Sequence, residues 1–302
     1  MSIKYGKGTS ASRHIAMVDR KPLTKNKTIK GLTFSQKNKA GRNYLGKIVT
    51  RGRGGGVARR KRQLQKNHLS GTYRILRLEY DPTRSAWLSL TADSEGNLSY
   101  QTAPNKFSGG DWVDVWTKPQ EAIEHSPHRY ASERTVQRSR EDGTVTLPIK
   151  HIPSGTTIYN IEVIPGKGPK YCRSAGTGGR VFRTERKGYV HLQLPSGEHR
   201  YVPEACTATF GAVSVGNHKL ESFGKAGRRR LKGHRPKVRG VAINPVDHPH
   251  GGGEGRSSGG RPSTTPWGKR THWNPTRRRN KHSDDLLITP RPKKGTVNTI
   301  KG

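Results

Sequence analysis

The 302 residues point to a mainly β protein whose core is confined to the middle of the chain. Apolar residues make up 29% of the sequence and mean hydropathy is −0.92, too little for every segment to be packed. Thirty-seven Gly and 19 Pro favour short strands joined by turns over long helices. Charge is divided by position. Residues 1–78 hold 21 Lys/Arg against the single acid Asp19, residues 79–205 hold 16 bases and 15 acids, and residues 206–302 hold 21 bases and 5 acids. A nearly neutral body therefore sits between two cationic arms, whose like charges repel one another until an external polyanion neutralises them.

Taken in order, residues 1–40 read as a basic N-terminal extension. Its shortage of acids fits an organelle-targeting segment and an RNA-binding arm equally well. From Arg20 to Leu78 there are 18 bases and no acid, a composition not expected to order by itself. Within 41–117, TYRILRLEY (Thr72 to Tyr80), WLSL (Trp87 to Leu90) and the run Leu98 to Thr102 after the turn-rich DSEGN read as short strands, and a small barrel is expected there. Residues 118–148, with Pro119, Pro127 and a polar run from Ser132 to Gly143, read as a linker or surface insertion. A second β unit is expected over 149–215. Tyr189, His191 and Gln193 alternate there with Val190, Leu192 and Leu194, and Pro195-Ser-Gly197 supplies a hairpin turn. Residues 216–302 return to Gly, Pro and Arg and read as an extended basic tail.

Several function classes are disfavoured. No apolar run approaches the roughly 20 residues of a membrane-spanning helix, and no hydrophobic signal-peptide core is visible near the start. Cys172 and Cys206 are too few for a disulfide framework, although one bridge between them stays open, and a reducing interior is expected. These cysteines with His248 and His250 lack paired metal-ligand spacing, so no metal is expected. Gly166-Lys-Gly168 and Ser174-Ala-Gly-Thr-Gly-Gly179 have neither phosphate-loop nor dinucleotide spacing, so no nucleotide or other cofactor is expected. Asp247 beside His248 and His250 could orient an imidazole, but no nucleophile or second acid accompanies them, and catalysis is not expected.

Nucleic-acid binding remains. The segment Asn244-Pro-Val-Asp-His-Pro-His-Gly-Gly-Gly-Glu-Gly-Arg256 combines stiffening prolines with Gly251, Gly252 and Gly253, which let backbone press close to another surface. Asp247, His248, His250 and Arg256 are candidate RNA contacts on it. Arg51, Arg53, Arg59, Arg60, Lys61 and Arg62 form an early basic run; Lys167, Lys170, Arg173 and Arg180 lie among small residues in the middle. Lys225, Arg228, Arg229, Arg230, Arg235, Lys237 and Arg239 precede the glycine-rich segment, and Arg277, Arg278 and Arg279 follow it. Trp267 and Trp273 lie among bases, where an indole could stack on an unpaired base or pack on the body.

These blocks resemble a known family. The glycine-rich segment, Gly224-Lys-Ala-Gly227, Arg235-Pro-Lys-Val-Arg-Gly240, Thr265-Pro-Trp-Gly268, Pro165-Gly-Lys-Gly168, Arg173-Ser-Ala-Gly-Thr177, Gly41-Arg-Asn43, Arg53-Gly-Gly-Gly56 and Glu79-Tyr-Asp-Pro82 are together similar to the large-subunit ribosomal protein L-two family, from about Gly41 to Leu287. The resemblance implies an N-terminal OB-fold barrel, a C-terminal SH3-like barrel, and basic extensions that enter large-subunit rRNA. It also implies a place near the peptidyl transferase centre, contacts with neighbouring ribosomal proteins and with the small subunit, and no autonomous homo-oligomer. By motif, His248 matches the histidine the family places closest to that centre, in a positioning role and not a catalytic one. Residues 118–148 are longer, and the region before Gly41 shorter, than the usual bacterial pattern. With Gly259-Gly-Arg-Pro262 they suggest a mitochondrial ribosome, a plastid or bacterial cytoplasm being the alternatives.

Overall fold

The structure, a computed structural model, describes residues 2–6, 8–10, 12–25, 28–65, 70–116, 145–182, 187–272, 277 and 280–292. Most of the expected 118–148 linker, along with Trp273, Arg278 and Arg279, lies outside the described residues. The chain divides into two units. One comprises Met1–Gln36, Arg59–Lys225 and Ser283–Gly302; the other comprises Lys37–Ala58 and Ala226–His282.

Short paired strands open the first unit: β1 (Ile3–Tyr5) with β2 (Ala16–Val18), and β3 (Thr33–Ser35) with β4 (Arg60–Arg62). The apolar runs read from the sequence then become β5 (Gly71–Glu79), β6 (Leu88–Ala92), β7 (Leu98–Thr102) and β8 (Trp112–Val115). In β5, Tyr73 and Ile75 face the core, a register irregularity between Ile75 and Arg77 shifts the phase, and Leu78 returns inward while Leu76 is left exposed. The DSEGN turn closes because the Asp93 carboxylate accepts the amides of Glu95 at 3.1 Å and Asn97 at 2.8 Å, with Gly96 at φ +86°.

The later strands are β9 (Val145–Pro148), β10 (Thr157–Tyr159), β11 (Ile161–Glu162), β12 (Pro169–Tyr171), β13 (Gly179–Val181), β14 (Tyr189–Gln193), β15 (His199–Pro203), β16 (Thr207–Phe210) and β17 (Leu287–Thr289). The alternation read in β14 holds: Val190 and Leu192 are buried while Tyr189, His191 and Gln193 are only half-buried. The Pro195-Ser-Gly197 turn joins β14 to β15, with Gly197 at φ +81° and its amide donating to the Leu194 carbonyl at 2.9 Å.

A mainly β fold is thus present, but the two barrels are not. Eleven strands form one open sheet in the order β17-β15-β14-β13-β10-β16-β9-β8-β5-β6-β7, and no sheet among the described residues closes on itself. The overturning contact is the parallel pairing of β8 with β9, Asp114 opposite Val145 and Val115 opposite Thr146. This pairing occupies the edge of β8 not taken by β5 and the edge of β9 not taken by β16, leaving β7 and β17 as the ends. Both halves share one core running from Tyr73, Ile75 and Val115 to Ile158, Leu192 and Phe210; a smaller cluster holds Leu88, Leu90 and Tyr100.

The segment around Ser214 ties the halves further. Its amide donates to the Ala103 carbonyl at 3.0 Å, its hydroxyl accepts the Trp87 amide at 3.2 Å, and its carbonyl accepts the Gly176 amide at 3.0 Å. Val215, buried and β-branched, is held at φ +64°, a left-handed conformation costly for such a side chain. Cys172 and Cys206 are both buried and free, so the bridge left open by the sequence is not made. Burial pushes the Cys172 thiol up to about 12; burial, then the Glu162 charge, push Cys206 up to about 12.

One buried carboxylate is paired on both of its oxygens. Glu79, 2% exposed, accepts the Tyr100 hydroxyl at 2.8 Å on one carboxylate oxygen and the Arg77 guanidinium at 2.8 Å on the other. Replacing Tyr100→Phe removes one donor while leaving the carboxylate buried. The expected outcome is a loss of about 1–3 kcal/mol in denaturant unfolding, with Arg77→Lys milder because a charged partner remains.

Candidate nucleic-acid interface

In the second unit, two backbone stretches rich in glycine and arginine run against each other. The Gly54 amide donates to Gly233 at 3.1 Å, Val57 to Leu231 at 3.0 Å, and Arg235 to Gly52 at 3.0 Å. Arg53 donates from its guanidinium to His234 Nδ1 at 3.2 Å, so that nitrogen carries no proton. A Cβ on Gly56 would lie 2.7 Å from the Leu231 carbonyl oxygen, and φ there is +90°. Only glycine allows this approach. The ribbon borders a cleft of about 370 Å³ lined by Gly54, Gly55, Gly56, Val57, Arg230, Leu231 and Arg235. A short helix, Ala226–Leu231, carries Arg228, Arg229 and Arg230 with no acid in its first turn. Arg51, Arg53, Lys237, Arg239 and Arg256 are exposed in the same unit.

The glycine-rich segment folds back tightly on itself. The Gly251 amide donates to His248 O at 2.8 Å and the Gly252 amide to Ile243 O at 3.0 Å. A Cβ on Gly251 would collide with the Asn244 carbonyl at 2.3 Å, so steric contact alone requires glycine there. Gly252 and Gly253 have φ of +88° and +94°. His248 is 9% exposed; Gly240 lies so close that a Cβ would meet the ring at 2.5 Å, and the His250 amide donates to His248 Nδ1 at 3.0 Å. His250 is fixed from both sides. Its Nδ1 meets the Gly259 carbonyl at 2.8 Å, which can only accept, while its Nε2 meets the Thr264 amide at 2.9 Å, which can only donate. The neutral Nδ1–H tautomer follows. The two imidazoles stack with centroids 5.1 Å apart. Asp247 is exposed, and His248 Nδ1 is taken by the His250 backbone amide. These histidines are structural pins of a loop.

Beyond them, Thr265 and Lys269 close a tight turn, the Thr265 amide donating to Lys269 O at 2.7 Å, with Gly268 at φ +77°. Trp267 projects from it 67% exposed, and the Arg51 guanidinium lies 5.3 Å from its ring centroid. Arg277 is also exposed.

In the first unit, Pro165-Gly-Lys-Gly168 forms the tip between β11 and β12. Buried Glu162 pins it by accepting the Gly168 amide at 3.0 Å and, on its other oxygen, the Thr207 amide at 3.1 Å. Lys167, Lys170 and Arg180 are exposed, whereas Arg173 is half-buried. Burial, then the charge of Arg84, pull the Arg173 guanidinium below its ordinary value. Arg60 in β4 is exposed; Arg59, Lys61 and Arg62 are half-buried, Lys61 lying 5.6 Å from the Phe34 ring centroid. Lys225 is exposed at the end of this unit. Arg84 escaped the sequence reading because it lies far from Arg173 in the chain. The alternation of Tyr189 and His191 was visible in the sequence, but their grouping with Phe182, His199 and Tyr201 was not, because cross-strand register sets it.

An open β body with exposed arginine and lysine on glycine-built loops, and with both His250 nitrogens and His248 Nδ1 held by backbone, defines a class of polyanion-binding structural proteins. Sequence comparison makes the class specific. Residues 29–115 match the family profile described as "Ribosomal Proteins L2, RNA binding N-terminal domain", and residues 142–268 match "Ribosomal Proteins L2, C-terminal domain". The chain is 41% identical over 293 residues to large ribosomal subunit protein uL2m of Reclinomonas americana, covering 96% of this chain and 98% of the relative. It is 42% identical over 294 residues to large ribosomal subunit protein uL2 of Hyphomonas neptunium (96% and 99% covered), and 42% identical over 295 residues to uL2 of Methylorubrum extorquens (96% and 98%). This chain belongs to the ribosomal protein L2 family.

Substituting His250→Ala removes both anchors between Gly259 and Thr264. The expected result is faster amide hydrogen exchange at Thr264 by at least tenfold, with little change in the midpoint of global unfolding, because no core contact is lost.

Proposed function

We infer that this chain is a structural, non-enzymatic constituent of the large ribosomal subunit that binds large-subunit rRNA. The observation that carries this is the match of both family domains, in order, on a chain of net charge +37. Partners are rRNA and neighbouring ribosomal proteins. Among the described residues no helix is long and apolar enough to cross a membrane.

The finer reading rests on the resemblance together with local geometry. The exposed bases of the Gly54 ribbon, the Ala226–Leu231 helix and the Lys167 tip are the groups we assign to phosphate. The 244–256 loop, with His248 as a positioning residue, is assigned to a site near the peptidyl transferase centre, and small-subunit contacts belong to the same reading. So do the part of 118–148 that precedes β9 (Val145–Pro148) as a linker or insertion, and 216–302, apart from β17 (Leu287–Thr289), as an RNA-binding tail. RNA shape and 2′-hydroxyl contacts would supply selectivity more than a base code.

For the compartment we propose a mitochondrial ribosome, supported by the organellar uL2m relative. The similarly close uL2 proteins of Hyphomonas neptunium and Methylorubrum extorquens support bacterial cytoplasm instead. Fractionating the source cells and locating the protein among mitochondrial or cytoplasmic ribosomes decides between them.

The chain should co-sediment with large subunits, and removing residues 244–279 should abolish its incorporation. With on the order of ten phosphate contacts, binding to rRNA should weaken with a log–log salt slope of roughly −7 to −9. A flat salt response, or a chain that stays at the top of the gradient, would refute the assignment.

A further inference from the structure

Phe182, just after β13, and the outward face of β14 and β15 carry rings that the basic arms do not account for. Phe182 and His191 stack with centroids 5.0 Å apart and planes at 25°. His191 lies 5.1 Å from His199, and their facing nitrogens, Nε2 and Nδ1, are 2.8 Å apart. His191 also lies 6.2 Å from Tyr201, which meets Tyr189 edge-on at 6.4 Å. All five side chains are half-buried.

Register puts them together. His191 pairs with Tyr201, Tyr189 with Pro203 and Gln193 with His199, so residues of the same parity share one face, while Val181, Val190, Leu192 and Val202 fill the core on the other. Arg180, opposite Gln193, belongs to the ring-bearing face and is exposed; Lys187 is exposed just before Tyr189. Among the described residues of these strands no carboxylate shares that face. The nearest in sequence, Glu198, is of opposite parity and pairs with Arg200 at 3.1 Å.

We propose that this ring surface is a second RNA contact, a stacking platform on which one or two unpaired rRNA bases lie, with Arg180 and Lys187 holding the adjoining phosphates. Charge complementarity selects a polyanion over an acid-free protein surface, and rings on a sheet accept any base because every base has a π-face. Cross-strand ring pairs also stabilise a sheet. Stability alone, however, needs neither the flanking cations nor the lack of carboxylates on this face among the described residues. The platform is distinct from the glycine-built loops and rests on the chain's being a large-subunit protein.

The test uses assembled large subunits containing the full chain. Irradiation at 254 nm should crosslink a peptide containing Tyr189 or Tyr201 to rRNA. In subunits carrying Tyr189→Leu with Tyr201→Leu, a small set of unpaired nucleotides should become reactive to dimethyl sulfate, and affinity of the purified chain for rRNA at high salt should fall roughly tenfold; Tyr→Phe at both positions should keep the protections. If the leucine variant does not fold, the crosslink on unaltered protein decides. No tyrosine crosslink, or unchanged protections with folded leucine variant, overturns the platform. A wild-type chain absent from large subunits overturns instead the ribosomal reading on which it rests.

Discussion

The parallel hydrogen bonding of β8 to β9 governs the architecture of the first unit. Two runs of strands separated by residues 117–144 in sequence become one eleven-stranded sheet through two register pairs, Asp114 with Val145 and Val115 with Thr146. Around that seam apolar residues of both halves are removed from water together, each large side chain contributing about 1.5–3 kcal/mol. The seam is reinforced by Ser214, whose amide, carbonyl and hydroxyl each bind a different segment. A strained Val215 follows directly, a conformation that persists only where surrounding packing over-determines it.

A different constraint shapes the second unit, where there is little apolar burial to give form. Glycine does it by omission. At Gly56 and Gly251 a side chain would collide with backbone, and at Gly252 and Gly253 positive φ bends the chain where other residues resist. The resulting backbone-to-backbone contacts keep Arg53, Arg230 and Arg235 at defined places without a conventional core. This is a workable design for a segment whose charges need an outside partner, because the fold fixes the positions of the cations while leaving their heads in water.

The histidines illustrate how chemistry inferred from residue types depends on what surrounds them. Asp247, His248 and His250 in a row could be a proton-transfer group. The His250 ring bridges Gly259 and Thr264, and His248 Nδ1 accepts the His250 amide, so three of the four ring nitrogens serve as loop fasteners. Buried Glu79 and Glu162 follow the same rule: each carboxylate is used to hold a neighbouring segment, through Tyr100 and Arg77 in one case and through Gly168 and Thr207 in the other.

Local order was legible in the residues themselves. The strands TYRILRLEY and YVHLQ, the turns at Asp93 and Gly197, and the glycine requirement of residues 251–253 follow from periodicity and backbone sterics, which act within a few positions of chain. Charge segregation likewise required no coordinates, and the block motifs were enough to reach the family. The tertiary structure alone decided strand partnership. A β strand of three to five residues offers two similar hydrogen-bonding edges, and which neighbour fills each depends on distant segments, as where His199 of β15 pairs with Thr289 of β17. That is why closed barrels were expected and an open sheet is found, and why Phe182, His191, His199 and Tyr201 became a single surface only after register placed them side by side.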